Sequence, residues 1–194
     1  MVPVSGHDVR AFDRDGASEG FSLIEVMIAT GVLTVGALSL VGVLAFGLSA
    51  VASSSTMLLA REKAREAVES VHSARDTGEL AWNRVNNVSA GGSFLDGMRE
   101  IRAPGADGLV NTGDDGAIEV IREPGADGIL NTVDDVQAPL GPDRFQREIA
   151  ITPLTLDGST TVNQNLRQIT VRVRYRVGGG WRVYTLTTFV SSYS

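Results

Sequence analysis

Gly20-Phe21-Ser22-Leu23-Ile24-Glu25 stands between a polar leader and a long uncharged apolar run. Glu25 is the one ionisable side chain at the head of that run. A carboxylate at the start of a membrane segment is costly, so it calls for a partner or a function. From residue 26 to residue 60 there is no charged side chain, and to residue 48 nearly every residue is apolar, Gly, Ala, Ser or Thr. About 20 residues suffice to span a bilayer core, so 21 to about 43 can cross it as a helix. Gly31, Gly36, Gly42 and Gly47 punctuate the run, and membrane helices use such small residues for close packing. A cleaved secretory signal would have a shorter apolar core followed by a small-residue site. Here the apolar stretch is too long for that, and the natural processing point lies before it.

The leader, 1–20, carries Asp8, Asp13, Asp15 and Glu19 against Arg10 and Arg14. Gly20 followed by Phe21-Ser22-Leu23-Ile24-Glu25-Val26 resembles the cleavage and methylation signature of type IV prepilins and pseudopilins. With Val35-Gly36-Ala37-Leu38 downstream, the stretch looks most like the PilV-type minor pilins. The leader departs from the family pattern in being acidic, with Glu19 where a basic residue is usual. The resemblance implies that a prepilin peptidase cuts after Gly20, that the amino group of Phe21 is methylated, and that Glu25 serves assembly. It also implies partners: other pilins, major and minor, and an inner-membrane assembly platform. The implied location is a single pass of the inner membrane with a periplasmic domain, then a pilus outside the cell. In a filament core the new Phe21 amine and a neighbour's Glu25 could neutralise each other, whereas either alone in an apolar setting would be costly. The plain alternative is a signal anchor whose glutamate rests at the interface.

Beyond the apolar run, Ala60, Ala64, Ala67, Val68 and Val71 recur at helical spacing, with Arg61, Glu62, Arg65, Glu66 and Glu69 facing elsewhere. The helix is expected to run from 21 to about 77, with Gly78 as its stop. Residues 79–100 read as loop, anchored by Trp82, Phe94 and Leu95. Ile169, Val171, Val173 and Tyr175 alternate with Thr170, Arg172, Arg174 and Arg176. Gly178-Gly179-Gly180 then turns the chain, and 181–190 returns, giving a hairpin with one buried and one basic face. Residues 145–151 read as a third strand and 117–121 as a weaker fourth. The expected fold class is therefore α+β, pilin-like. A helix over 21–48 spans the membrane, 49–78 continues it with one apolar face, and 79–194 forms an antiparallel β-domain carrying an Asp/Gly-rich insertion at 101–135.

That insertion is a repeat. Residues 101–115, IRAPGADGLVNTGDD, recur at 121–135 as IREPGADGILNTVDD, identical at 11 of 15 positions. Pro-Gly and Asp-Gly mark turns. Each copy gathers oxygen ligands of the kind a hard cation such as Ca²⁺ uses: Asp107, Asn111, Asp114 and Asp115 in the first, Asp127, Asn131, Asp134 and Asp135 in the second. The spacing is not that of an EF-hand. The other reading is a pair of Asx-type turns whose carboxylates accept backbone amides.

The formal net charge of −6 argues against a general nucleic-acid binder, which shows a basic stripe. With no cysteine, disulfides and thiol chemistry are excluded. His72 is the one histidine after the leader, no elbow motif accompanies it, and no phosphate loop is present. The expectation is a non-enzymatic minor pilin or pilin-like subunit. A type II secretion pseudopilin is the near alternative, and a membrane-anchored Ca²⁺-dependent adhesion module the alternative from another class. An anchored hydrolase would have to depend on His72.

Overall fold

The computed structural model describes residues 20–155 and 161–193. The expected leader therefore lies outside the described residues, except for Gly20. The chain forms two compact units, Met1–Leu48 and Ser49–Ser194. Helix α1, Leu23–Asp76, contributes to both.

Among the described residues the first unit is Gly20–Ser22 and the stretch of α1 up to Leu48. Ser22 starts it, its carbonyl accepting the N–H groups of Glu25 at 3.0 Å and Val26 at 3.1 Å. Glu25 falls in the first turn, where the helix dipole favours an acid. The span Leu23–Leu48 has a mean hydropathy of 2.2 and none of it is buried. Among the described residues it is the one helix long and apolar enough to cross a membrane, a test that an N-terminal signal sequence also passes. Its hydroxyls are satisfied inside the helix: Thr30 donates to the Val26 carbonyl at 2.8 Å, Thr34 to Thr30 at 2.7 Å and Ser39 to Val35 at 2.8 Å. A helix that closes its own polar groups in this way is what a hydrocarbon medium requires.

In the second unit α1 buries Ala60, Ala64, Ala67, Val71 and Ala74, one stripe at helical spacing. It ends as expected: Gly78 takes φ +76°, open to glycine without a Cβ penalty, and the Leu80 N–H closes on the Ala74 carbonyl at 2.9 Å. Residues 79–100 are irregular, with two short 3₁₀ turns at Trp82–Arg84 and Val88–Ala90. Trp82 is held between cations, with the Arg167 guanidinium 4.2 Å and that of Arg75 5.6 Å from the ring centroid.

Five strands follow: β1 (Val120–Glu123), β2 (Val136–Pro139), β3 (Phe145–Thr155), β4 (Val162–Val177) and β5 (Gly180–Ser191). The last three form an antiparallel sheet in the order β3-β4-β5. Phe145 pairs with Tyr175, Ile149 with Val171 and Ile151 with Ile169, and β4 returns through the glycine turn with Arg176 opposite Trp181. The inner face carries Phe145, Ile149, Ile151, Ile169, Val171, Val173 and Tyr175 into one core with the alanine stripe of α1. Each such aliphatic side chain contributes about 1.5–3 kcal/mol on full burial. The expected fourth strand does not join this sheet. Residues 117–119 instead bond back to 101–103, through Ala103 N–H to the Ala117 carbonyl and Glu119 N–H to the Ile101 carbonyl, both 3.0 Å. β1 then pairs with β2 in a separate two-stranded ribbon. The free edge of β3 is taken instead by Arg99, whose N–H donates to the Arg147 carbonyl at 2.9 Å and whose carbonyl accepts the Arg147 N–H at 2.7 Å.

Candidate functional site

Two features carry chemistry: the head of the apolar helix and the duplicated loop. Gly20 and Phe21 precede the helix as exposed, non-helical chain. Phe21 shares a shallow groove with Glu25, Val26, Ala29, Thr30 and Leu33, so the residue expected to become the amino terminus and the expected assembly carboxylate lie on one face. Among the described residues Glu25 has no salt-bridge partner.

The two loops are built on the same bonds. In the first copy Asp107 accepts the Leu109 N–H at 2.9 Å, Asp114 accepts the Asp107 N–H at 3.4 Å and the Thr112 hydroxyl at 2.8 Å, and Asp115 accepts the Asn111 N–H at 2.9 Å. In the second, Asp127 accepts Ile129 N–H at 2.8 Å, Asp134 accepts Asp127 N–H at 3.2 Å and the Thr132 hydroxyl at 2.6 Å, and Asp135 accepts Asn131 N–H at 2.8 Å. Asn111 and Asn131 take left-handed φ of +65° and +69°. Gly105 and Gly125 have no room for a Cβ, which would fall 2.4 Å from the Asp114 carboxylate and 2.2 Å from the Asp134 carbonyl. The threonine hydroxyls, with backbone amides behind them, hold the Asp114 and Asp134 carboxyls below their ordinary value near 3.8. All six carboxylates thus serve as acceptors for their own loop, which is how an Asx-type turn is satisfied. Among the described residues no three His, Cys, Asp or Glu side chains converge on a metal-sized space. Asn111 stands apart: it is 1% exposed, and neither the nitrogen nor the oxygen of its side-chain amide has a partner.

The surroundings of the copies differ. Leu109 and Val110 are 3% and 0% exposed and belong to the main core. Their counterparts Ile129 and Leu130 are 61% and 50% exposed, and Val133, which replaces Gly113, is fully exposed. Leu130 lines a hollow of about 300 Å³ with Leu59, Ile121 and Phe145 without closing it.

Sequence reasoning missed a charge cluster beside the first copy. Arg147 is fully buried on the inner face of β3, its guanidinium 3.6 Å from Glu66 and donating to the Lys63 carbonyl at 3.3 Å. Lys63 bridges Glu66 at 2.6 Å and also pairs with Glu119. Burial pushes the Arg147 guanidinium down, opposed by Glu66, Glu119 and Asp115. Burial also opposes the Lys63 charge, but its hydrogen bonds to Glu119 and Glu66 together outweigh that and raise it above 10.5. Glu66, expected to face away from the core, therefore turns into it. The signal was present in the alternation Phe145, Arg147, Ile149, Ile151, which places an arginine among apolar inward positions.

His72, expected to face solvent, is half-buried on α1. The β4 arginines lie on the outer sheet face as expected, with Arg172 paired to Glu148 at 3.0 Å and Arg174 lying 4.5 Å from the Trp181 ring. Compared with protein-family models, with curated proteins and with solved structures, the chain matches none of them.

Proposed function

We propose that the chain is a membrane-anchored structural subunit of the pilin-like kind, processed after Gly20 and built into a filament of a type IV pilus or a related secretion machine. One observation carries the reading: a wholly exposed apolar helix, Leu23–Leu48, is headed by the lone carboxylate of Glu25. A cation must reach Glu25 once water is removed, because an unpaired charge in an apolar setting is costly. A neighbouring subunit's Phe21 amine, freed by processing, supplies one. The second unit supports the reading by offering a long-helix-and-antiparallel-sheet domain suited to lie outside the membrane. Its role is structural, and His72, half-buried and without a nucleophile motif beside it, carries no catalysis.

The experiment is mass spectrometry of the mature amino terminus together with Glu25→Ala. The expected results are a chain beginning at methylated Phe21, and a variant that remains in the membrane but is lost from sheared filaments. A mature chain that retains its leader, or one cut near residue 50, would overturn the reading.

A second reading has its own observation. The buried Asn111 side chain lacks any partner, and a hard cation taking its oxygen together with Asp107, Asp114 and Asp115 would supply one, with the second copy binding through Asp127, Asn131, Asp134 and Asp135. Such a site would draw the carboxylates away from the backbone amides they now accept. Calorimetry and melting of the full chain with Ca²⁺ and with EDTA test it. Absence of heat and an unmoved melting temperature would remove it.

A further inference from the structure

The second copy of the repeat leaves most of its apolar tip uncovered by the rest of the chain. Its twin at 101–115 drives Leu109 and Val110 into the main core, while Ile129, Leu130 and Val133 are left in water at the tip of the β1–β2 ribbon. The loop is nevertheless closed by the same bonds, including Gly128 N–H to the Gly125 carbonyl at 3.1 Å against 3.2 Å for Gly108 and Gly105. An apolar tip held in its bound shape loses little entropy on docking. The tip is also acidic. Asp135 and Glu123 have arginine partners within the ribbon's own neighbourhood, Arg122 and Arg144, whereas Asp127 and Asp134 have no cationic partner among the described residues.

A complementary surface lies on the outer face of the three-stranded sheet. Trp181, Val183 and Phe189 stand exposed along β5, an edge strand. Arg176 lies opposite Trp181 and Arg174 opposite Val183 in the register, and neither arginine has an ion-pair partner among the described residues. An apolar strip flanked by uncompensated cations is matched in charge and polarity to an apolar tip flanked by uncompensated anions. The two cannot meet within one molecule. Leu130 shares its hollow with Phe145 of the inner face and with Leu59 of α1, so the tip lies on the helix side of the sheet and the arginine-tryptophan face on the other.

We propose that the 121–135 loop of one copy of this chain docks on the outer sheet face of another copy, with Ile129 and Val133 against Trp181 and Val183, and with Asp127 and Asp134 facing Arg174 and Arg176. The contact joins two different patches, so it is heterologous and propagates from copy to copy unless a rotation closes it into a ring. It is independent of Glu25 and of the membrane reading.

The chain has no cysteine, which makes the test clean. Full-length Val133→Cys and Val183→Cys chains are purified separately in detergent, mixed and oxidised. Only a contact between different molecules joins them. The control is Val133→Cys mixed with Ser89→Cys, which is also exposed. This pair measures association through the apolar helix alone. The expected result is a mixed disulfide dimer several-fold above the control. Its yield should fall several-fold when Arg176→Glu is added to the Val183→Cys chain. It should also fall from about 0.01 M to about 1 M salt, as the screening length drops from about 30 Å to about 3 Å. A yield equal to the control, or one unmoved by Arg176→Glu, overturns the proposal.

Discussion

The first copy of the repeat and the second share 11 of 15 residues and the same turn bonds, yet one is part of the core and the other is not. The apolar pairs do not explain this, since Leu-Val and Ile-Leu are equally apolar; the copies differ otherwise only in Ala103 against Glu123 and Gly113 against Val133. What separates them is what lies beneath. The first copy meets the alanine stripe of α1 and the Arg147 cluster. The second meets a shallow hollow bordered by exposed ribbon. The comparison shows that a turn can be specified by its own Asp, Gly, Asn and Thr residues, independently of whether its apolar pair finds a place to go. Local bonds set the loop's shape, and the long-range surroundings set its burial.

The largest effect expected from that difference lies in the arginine whose charge each copy's last aspartate favours. Asp115 acts on the buried Arg147, whereas Asp135 pairs at 3.7 Å with Arg122, which is largely in water. Arg147→Ala leaves Glu66 and Glu119 short of a cation and should lower unfolding free energy by about 3–5 kcal/mol. Arg122→Ala should cost less than about 1 kcal/mol. Denaturant unfolding of the full chain in detergent measures both, and equal costs would break the comparison.

Next come the apolar pairs. Leu109→Ala should cost about 2–5 kcal/mol as a core truncation, and Ile129→Ala should stay within about 0.5 kcal/mol as a surface change. A destabilising Ile129→Ala in the isolated protein would mean that the second tip is buried in solution. The glycines give a smaller and more informative pair. Gly108 and Gly128 have φ of +68° and +70°, so alanine costs about 1–2 kcal/mol at either turn. Gly108→Ala should lower global stability because its loop belongs to the core. Gly128→Ala should leave global stability alone and speed amide exchange only within 124–135. A shared global loss would show the ribbon to be cooperative with the core.

The smallest effect is common to both copies. Asp114 and Asp134 are held below their ordinary value near 3.8, so the stability they contribute is complete above that value and lost as pH falls through the lowered one. Amide protection at Asp107 and Asp127 should therefore fade together in acid below about pH 4. At the other extreme, Lys63 is raised above 10.5, so its contribution persists up to that pH and is lost as pH rises through the raised value. That loss should loosen the first copy and leave the second unchanged.

Most of the architecture is legible in the chain because it rests on local periodicity. The alternation at 169–175, the glycine run at 178–180 and the stop at Gly78 name β4, β5 and the end of α1, and the structure has them there. The weak strand at 117–121 was harder. Its apolar residues fit any edge, and the repeat itself, by pairing 101–103 with 117–119, decides which edge it takes. Of the buried cluster only Arg147 shows in a local pattern. Lys63, Glu66, Glu119 and Arg147 come from distant parts of the sequence, and an arginine on an apolar face reads as misplaced until its partners are seen. The repeat's carboxylates read equally as cation ligands or as turn acceptors, since both uses need the same oxygens at the same spacing. The exposure of the second copy could not be read at all, because it is a property of the surroundings that the repeat does not contain.

The two tryptophans of this chain stand in different settings. Trp82 is half-buried, clamped between Arg75 and Arg167, with its ring nitrogen donating to the Gln164 carbonyl at 2.9 Å. Trp181 is exposed on the outer sheet face. The molecule therefore contains its own pair of optical gauges. Emission from Trp82 follows the integrity of the fold, and emission from Trp181 follows whatever comes to rest on the sheet. Replacing one at a time with phenylalanine would let fluorescence separate unfolding from contact without any attached dye.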